Sequence, residues 1–269
     1  MIQAASILKW RGYLREIVDD IGGMALFWWD LFLVLRSRPC RLRLVMVQID
    51  KVTTQSFPTV AMAGFFVGAI LAVQFSIQLS EFGALGYLGG LTTSATFREV
   101  GPLLIAFMLS GKIGAFTAAE LGTMRVTEQI DAIRCLGADP IQEIILPRYL
   151  GIVVSSFFLL VVGMFMSLFG GILMANVFAG ISPEEYVRHI HHILNLPSVL
   201  GGLFKCLVFS TMLALVCTYK GYSTSGGARG VGRAVVQTAM ISMIGIVVTD
   251  WITSVITEGV NLFFGGGTS

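Results

Sequence analysis

The amino-acid sequence predicts an all-α polytopic membrane protein with an N-terminal interfacial helix and five transmembrane helices. A charged helix on the inner side and a short helix on the outer side complete the expected fold. Three observations lead there. Of the 269 residues, 55% are hydrophobic and 13% are charged, and uncharged runs long enough to cross a hydrocarbon core of about 30 Å recur along the chain. Those runs lack the two-residue alternation of a β-barrel. Lysine and arginine also gather in alternate segments. Eight lie in 1–51, three in 120–148 and three in 220–233, whereas the opposite loops hold Arg98 and Arg188, with none after Glu258. This asymmetry places the N-terminus in the cytoplasm and the C-terminus outside.

Residues 1–51 form the inner-side N-terminal region. Lys9, Arg11, Arg15, Glu16, Asp19 and Asp20 precede any apolar core, which argues against a cleavable signal peptide. Residues 24–35 are apolar around Trp28-Trp29, but the run is short and broken by Asp30. Arg36, Arg38, Arg41 and Arg43 follow. A helix lying in the headgroup plane fits this pattern better than a crossing does.

The bundle is expected within 52–262. Its first span falls at 54–80, inside a charge-free run from 52 to 80; such a run reaches about 44 Å as a helix, so it tilts or protrudes. The second span, 97–120, is interrupted by Lys112. The third, 149–178, lies in an uncharged run long enough that it must extend beyond the membrane or bend near Gly163 and Gly170-Gly171. The fourth, 197–219, contains Lys205, and the fifth, 234–258, contains Asp250. Outside, Ser182-Pro183-Glu184-Glu185 supplies a capping serine, a proline at the first helical position and acids on the positive end of the dipole. A short helix should run from there to about Asn195. Small residues at Gly64, Gly68 and Ala72, and at Ser110, Gly114, Ala118 and Gly122, let backbones approach closely. Those faces serve either packing within one subunit or a homodimer seam.

Between the second and third spans the chain concentrates Glu120, Arg125, Glu128, Asp131, Arg134, Asp139, Glu143 and Arg148. Residues 123–136 predict an amphipathic helix. Met124, Ile130, Ile133 and Leu136 share one side, and Arg125, Glu128, Gln129 and Asp131 the other, with Gly137 ending it. Asp139-Pro140-Ile141-Gln142 reads as the next helix start, with Asp139 as cap. The segment is either a grip for a soluble partner or a solvated loop whose charges set topology.

Besides Lys112, two ionisable groups lie inside spans, where charge is costly. Lys205 is eight residues in from Pro197, and Asp250 eight residues in from Glu258. Both therefore sit about 12 Å deep and should pair. Such a pair either fastens the fourth span to the fifth or works in transport. The glycines of 226–232 lack the lysine and hydroxyl of a phosphate loop, and 110–113 fails the same comparison. His189, His191 and His192 offer no third metal ligand. Cys40, Cys135, Cys206 and Cys217 have neither metal spacing nor a common compartment for disulfides. No nucleophile–base set suggests catalysis.

One long pattern goes further. Arg98-Glu99-x-Gly101-Pro102, Gly111-Lys112-x-Gly114, Ala119-Glu120-x-Gly122-x-Met124-x-x-Thr127-Glu128-Gln129-x-x-Ala132, Gly137-x-Asp139-Pro140 and Pro147-Arg148 closely resemble the MlaE/YrbE family of ABC-transporter permeases. Lys220-Gly221-Tyr222 and the glycine-rich stretch up to Ala234 fit the same family. The resemblance covers roughly 45–260; Lys112 departs from it, since many members carry arginine there.

The resemblance implies a homodimeric permease bound to cytoplasmic ABC ATPase subunits and to a periplasmic ring of MCE-domain proteins, with a small STAS-type cytoplasmic protein as a further partner. No nucleic acid is implied. ATP and Mg would be bound by the ATPase, leaving this chain without a cofactor or metal of its own. Segment 123–136 would be the coupling helix, with Glu120, Met124, Arg125, Thr127, Glu128, Gln129, Asp131 and Arg134 meeting the ATPase. The lipid pocket would lie near Arg98 and Glu99, where the arginine holds a phosphate or the two residues satisfy each other. Leu71, Phe75, Leu79 and Phe82 would contact acyl chains. Expected activity is phospholipid movement between the bacterial inner membrane and the cell envelope, in support of outer-membrane lipid asymmetry. An ion-coupled carrier using Lys205, Asp250 and Glu99 is the rival reading.

Overall fold

The computed structural model describes the backbone of residues 2–37, 41–194 and 196–265, with side chains over 18–36, 41–190, 194 and 196–259. Arg38, Cys40 and Asn195, and the side chains of His191 and His192, lie outside the described residues. Among those described, all regular structure is helical. Five stretches are long and apolar enough to cross a membrane: Leu42–Glu81, Leu85–Val126, Ile141–Ala179, Leu196–Tyr222 and Gly227–Gly259. All five expected spans are present, each within a longer helical stretch.

The first helix, α1 (Ile2–Ser37), is three times the length expected for the interfacial element. No proline precedes Pro39, so nothing in the polar start of the chain stops the helix. Phe27 and Leu31 are buried, while Trp28, Trp29, Phe32 and Leu33 are exposed. Helix α2 (Leu42–Glu81) forms the first span with Pro58 inside it. Proline cannot donate to the carbonyl four residues back, which loosens that turn. There Lys112 donates to the Gln55 carbonyl at 2.6 Å and to Thr59 Oγ1 at 2.7 Å.

The second span is assembled from α3 (Leu88–Ala95), α4 (Gly101–Leu109) and α5 (Ala115–Val126), joined by two π turns at Thr96–Val100 and Ser110–Gly114. A π turn adds a residue to the helix and re-aims the side chains it carries. These two carry Arg98-Glu99 and Lys112. At the end of the bundle that the lysine and arginine counts assign to the cytoplasm, called inner here, a corner holds α6 (Gln129–Cys135), and a third π turn, Ile141–Ile145, leads into α7 (Leu146–Ala179). Helix α7 is continuous past Gly163 and Gly170-Gly171, and its 34 residues reach about 51 Å, longer than a hydrocarbon core of about 30 Å. At the opposite end, called outer by the same expectation, α8 (Pro183–Ile193) starts as expected, with Ser182 Oγ accepting from the Glu185 amide at 3.2 Å. Helices α9 (Leu196–Tyr222) and α10 (Gly227–Gly265) complete the bundle.

The glycines of α7 are used for contact. A Cβ on Gly64 would fall on the Gly163 carbonyl, one on Gly68 on that of Ser167, and one on Gly170 on that of Phe65. The α2–α7 seam is the most extensive helix pair. Gly114 faces Leu213 and Thr238, and Gly122 faces Thr224. Both small-residue faces therefore pack inside this chain. A central core around Ile105, Leu159, Met164 and Phe209 is flanked by an inner core (Phe27, Leu31, Leu121, Ile145, Leu146) and an outer one (Leu88, Ala175, Ile181, Tyr186). Helix α1 thus closes the inner end of the bundle, and α8 closes the outer end.

Candidate functional site

On the outer side, Lys205 of α9 is 2% exposed. Its Nζ donates to Ser254 Oγ at 2.7 Å and lies 3.0 Å from both Glu99 Oε2 and Asp250 Oδ1. The contact with Asp250 is an ion pair outside hydrogen-bond angles, so that buried oxygen has no hydrogen-bond donor among the described residues. Ser254 Oγ also sits 3.3 Å from each Glu99 oxygen. The expected Lys205–Asp250 neighbours are thus brought together, with Glu99 as a second carboxylate. Arg98 and Glu99 do not satisfy each other: Arg98 pairs with Glu258, and Glu99 with Lys205. The π turn explains this, since it turns two adjacent residues to separate partners on α9 and α10.

The cluster binds the second, fourth and fifth spans together and carries three carboxylates to two cations. A cleft of about 20 Å³ beside it, lined by Arg98, Glu99, Gly201, Lys205 and Glu258 among others, has room for about one water. The apolar candidates lie elsewhere. Phe75 and Leu79 pack on the outer core with Tyr186, Leu71 is half-buried on α2, and Phe82, just past the end of α2, is 81% exposed. None of them lines this cleft.

At the inner end, the single helix expected over 123–136 is corrected. Helix α5 continues to Val126, the chain turns at Thr127-Glu128, and α6 begins at Gln129. Glu128 has φ +61°, a left-handed conformation that is uncommon for a residue with a side chain. Burial and an ion pair hold the corner. Ile130 is fully buried, and Arg125 Nη1 reaches Asp131 Oδ1 at 2.7 Å across the turn. Arg134 lies 3.5 Å from the same carboxylate oxygen. Glu128 and Gln129 are exposed and Met124 is half-buried. Leu136, expected on the apolar side, is 84% exposed.

The corner ends as its residue types require. Gly137 has φ +77°, the Ala138 amide reaches back to the Ile133 carbonyl, and Asp139 Oδ1 accepts from the Ile141 amide at 3.0 Å. Glu120 belongs to a different network. It lies 3.0 Å from Lys51 and 3.1 Å from Arg148, joining α5 to α2 and α7.

Several partners were not singled out from sequence. Ser254 and Glu258 extend Asp250 at four-residue spacing along one face of α10, a stripe that periodicity alone could have found. Lys51 as the Glu120 partner, Asp20 as the Lys220 partner at 2.6 Å, and Tyr222 as the acceptor for Arg134 are contacts between distant segments without a local signal.

Five apolar stretches of membrane-spanning length, with a charge cluster toward one end and an ordered charged corner at the other, define a multi-pass membrane protein. The family model described as Permease MlaE matches residues 45–256, and the chain belongs to that family of ABC-transporter permeases. A probable ABC transporter permease protein of Rickettsia felis is 33% identical over 249 residues, covering 93% of this chain and 94% of the relative. The chloroplastic protein TRIGALACTOSYLDIACYLGLYCEROL 1 of Arabidopsis thaliana is 29% identical over 212 residues, 79% of this chain and 61% of its own length. The intermembrane phospholipid transport system permease protein MlaE of Haemophilus influenzae is 24% identical over 250 residues, 91% and 95% of the two chains.

Proposed function

We propose that this chain is the transmembrane subunit of a transporter that moves phospholipids or related lipids between the bacterial inner membrane and the cell envelope. A separate cytoplasmic ATPase pair drives it and holds the ATP and Mg. Two copies of the chain enclose an outward-facing lipid cavity, and a periplasmic MCE-domain ring receives or delivers the lipid. The observation that carries this reading is the inner corner. A left-handed Glu128 held by an Arg125–Asp131 ion pair presents Glu128, Gln129 and Leu136 outward on a braced turn. Solvated loops do not need such bracing; a surface that transmits a push does. The Haemophilus influenzae relative's name supplies the lipid class.

On the outer side, closing the ATPase pair would drive the spans together through the α6 corners. The Lys205 cluster, which joins three spans, is placed to register that movement. The excess carboxylate there favours the ammonium of a zwitterionic headgroup, while release of Arg98 from Glu258 would free a guanidinium for phosphate.

The test is reconstitution with the ATPase partner in proteoliposomes, measuring lipid moved per ATP hydrolysed. Asp131→Ala removes the acceptor of both Arg125 and Arg134. Lipid moved per ATP should then fall roughly tenfold, the effect of about 1.4 kcal/mol on a rate, with the fold retained. Wild-type coupling in that variant, or transfer that persists without ATP hydrolysis, would overturn the reading; the second outcome would favour an ion-coupled carrier.

A further inference from the structure

Tyr222, the last residue of α9, meets the inner corner on one side and α1 on the other. Arg134 of α6 donates to its hydroxyl, and the Arg125 guanidinium lies 5.9 Å from its ring centroid. Both arginines also engage Asp131. On the opposite side, the Phe27 ring of α1 packs 5.8 Å from Tyr222 and 5.7 Å from Tyr219, centroid to centroid. Two further contacts fix α1 at this place. Gly23 lies so close to Tyr219 that a Cβ there would fall on the phenol oxygen. Lys220, whose side chain is 7% exposed, pairs with Asp20 at 2.6 Å.

We propose that Tyr222 is a positioning residue that ties the N-terminal helix to the inner corner, so that α1 and α6 move as one unit when the corner is pushed. The chemistry calls for tyrosine. Its ring gives Phe27 an apolar surface and Arg125 a π face, and its hydroxyl gives Arg134 an acceptor. Phenylalanine keeps the first two contacts and loses the third, whereas leucine loses the π face and the hydroxyl together. Because α1 exposes Trp28, Trp29 and Phe32, residues suited to the headgroup layer, the tie couples the corner's motion to the membrane surface. It also places the corner's reaction force on a helix that resists being pulled from the interface. This inference rests on the coupling role proposed for the corner.

The experiment uses the full chain with all four cysteines replaced by alanine and spin labels at Leu26→Cys on α1 and Ala132→Cys on α6. The label distance is read alone and in the complex with the ATPase, alongside lipid moved per ATP. The parent should give one narrow distance distribution. Tyr222→Leu should broaden it and lower lipid moved per ATP several-fold while ATP hydrolysis persists. Tyr222→Phe should fall between the two. Arg134→Ala, at an exposed position, and Phe27→Ala should each reproduce the broadening from one side of the tie, which keeps the test valid if Tyr222→Leu does not fold. An unchanged distribution in Arg134→Ala and Phe27→Ala, or a wild-type transport ratio alongside a broadened one, would overturn the proposal. Failure of the coupling reading would look different: no ATP-dependent transfer in the parent itself, with the label distance still reporting the tie.

Discussion

At the residue scale, Lys205 is a single ammonium shared between two unequal carboxylates. The Asp250 side chain is 15% exposed and that of Glu99 is 49% exposed. A buried charge depends on its partner, because breaking a buried pair leaves the other ion uncompensated at about 3–5 kcal/mol. A half-exposed partner is screened and contributes about 0–1 kcal/mol. Asp250→Asn should therefore lower the melting temperature in detergent sharply, because it strands the buried ammonium, and Glu99→Gln should leave it near that of the parent. The reverse order would show that the ammonium is held chiefly by the outward carboxylate. The pairing of Lys205 with Asp250 was legible in the sequence, since the same eight-residue count inward put both at one level. The swing of Glu99 to Lys205 was not, because a π turn changes the direction of a side chain without changing the residue pattern.

Elements were legible where a local signal marks their ends. Ser182-Pro183 starts α8, and Gly137 and Asp139 shape the inner corner, each by a capping bond that its residue type dictates. The break at Thr127-Glu128 has no such signal. Helical periodicity runs straight through it, and the turn is held by the burial of Ile130 and by the Arg125–Asp131 pair, contacts that the residue pattern does not announce. The glycines of the first span had an open sequence reading, packing within one subunit or a homodimer seam, and the structure uses them for packing within the subunit, against the third span. Gly68→Val should force α2 away from the Ser167 carbonyl, destabilising by about 1–3 kcal/mol as overpacked contacts do. Gly111→Ala, with no atom within 4 Å of the new Cβ, should be neutral or stabilise by up to ~1 kcal/mol, because glycine inside a helix is unfavourable. Thermal unfolding of the two variants in the same detergent separates them. Equal melting temperatures would mean that the α2–α7 seam is looser than its backbone contacts indicate.

For the whole molecule, the alternating lysine and arginine counts imply one orientation, and the cysteines provide a way to read it. Helix α9 carries Lys205 of the outer cluster near one end and Tyr222 of the inner corner at the other, 17 residues apart, or about 26 Å along a helix axis. That separation is close to the roughly 30 Å of a hydrocarbon core, and under the proposed function only the corner faces the ATPase. Cys135 is exposed at the end of α6, while Cys206 and Cys217 are buried in α9. With Cys40 replaced by serine, a membrane-impermeant maleimide should label inside-out vesicles at Cys135 and leave right-side-out vesicles unlabelled. Cys135→Ser should abolish the labelling, since a buried thiol stays inaccessible from either side. Labelling confined to right-side-out vesicles would place α6 and its charged corner outside. The basic segments would then oppose the rule that orients them, and no cytoplasmic ATPase could reach the surface that Arg125 and Asp131 brace.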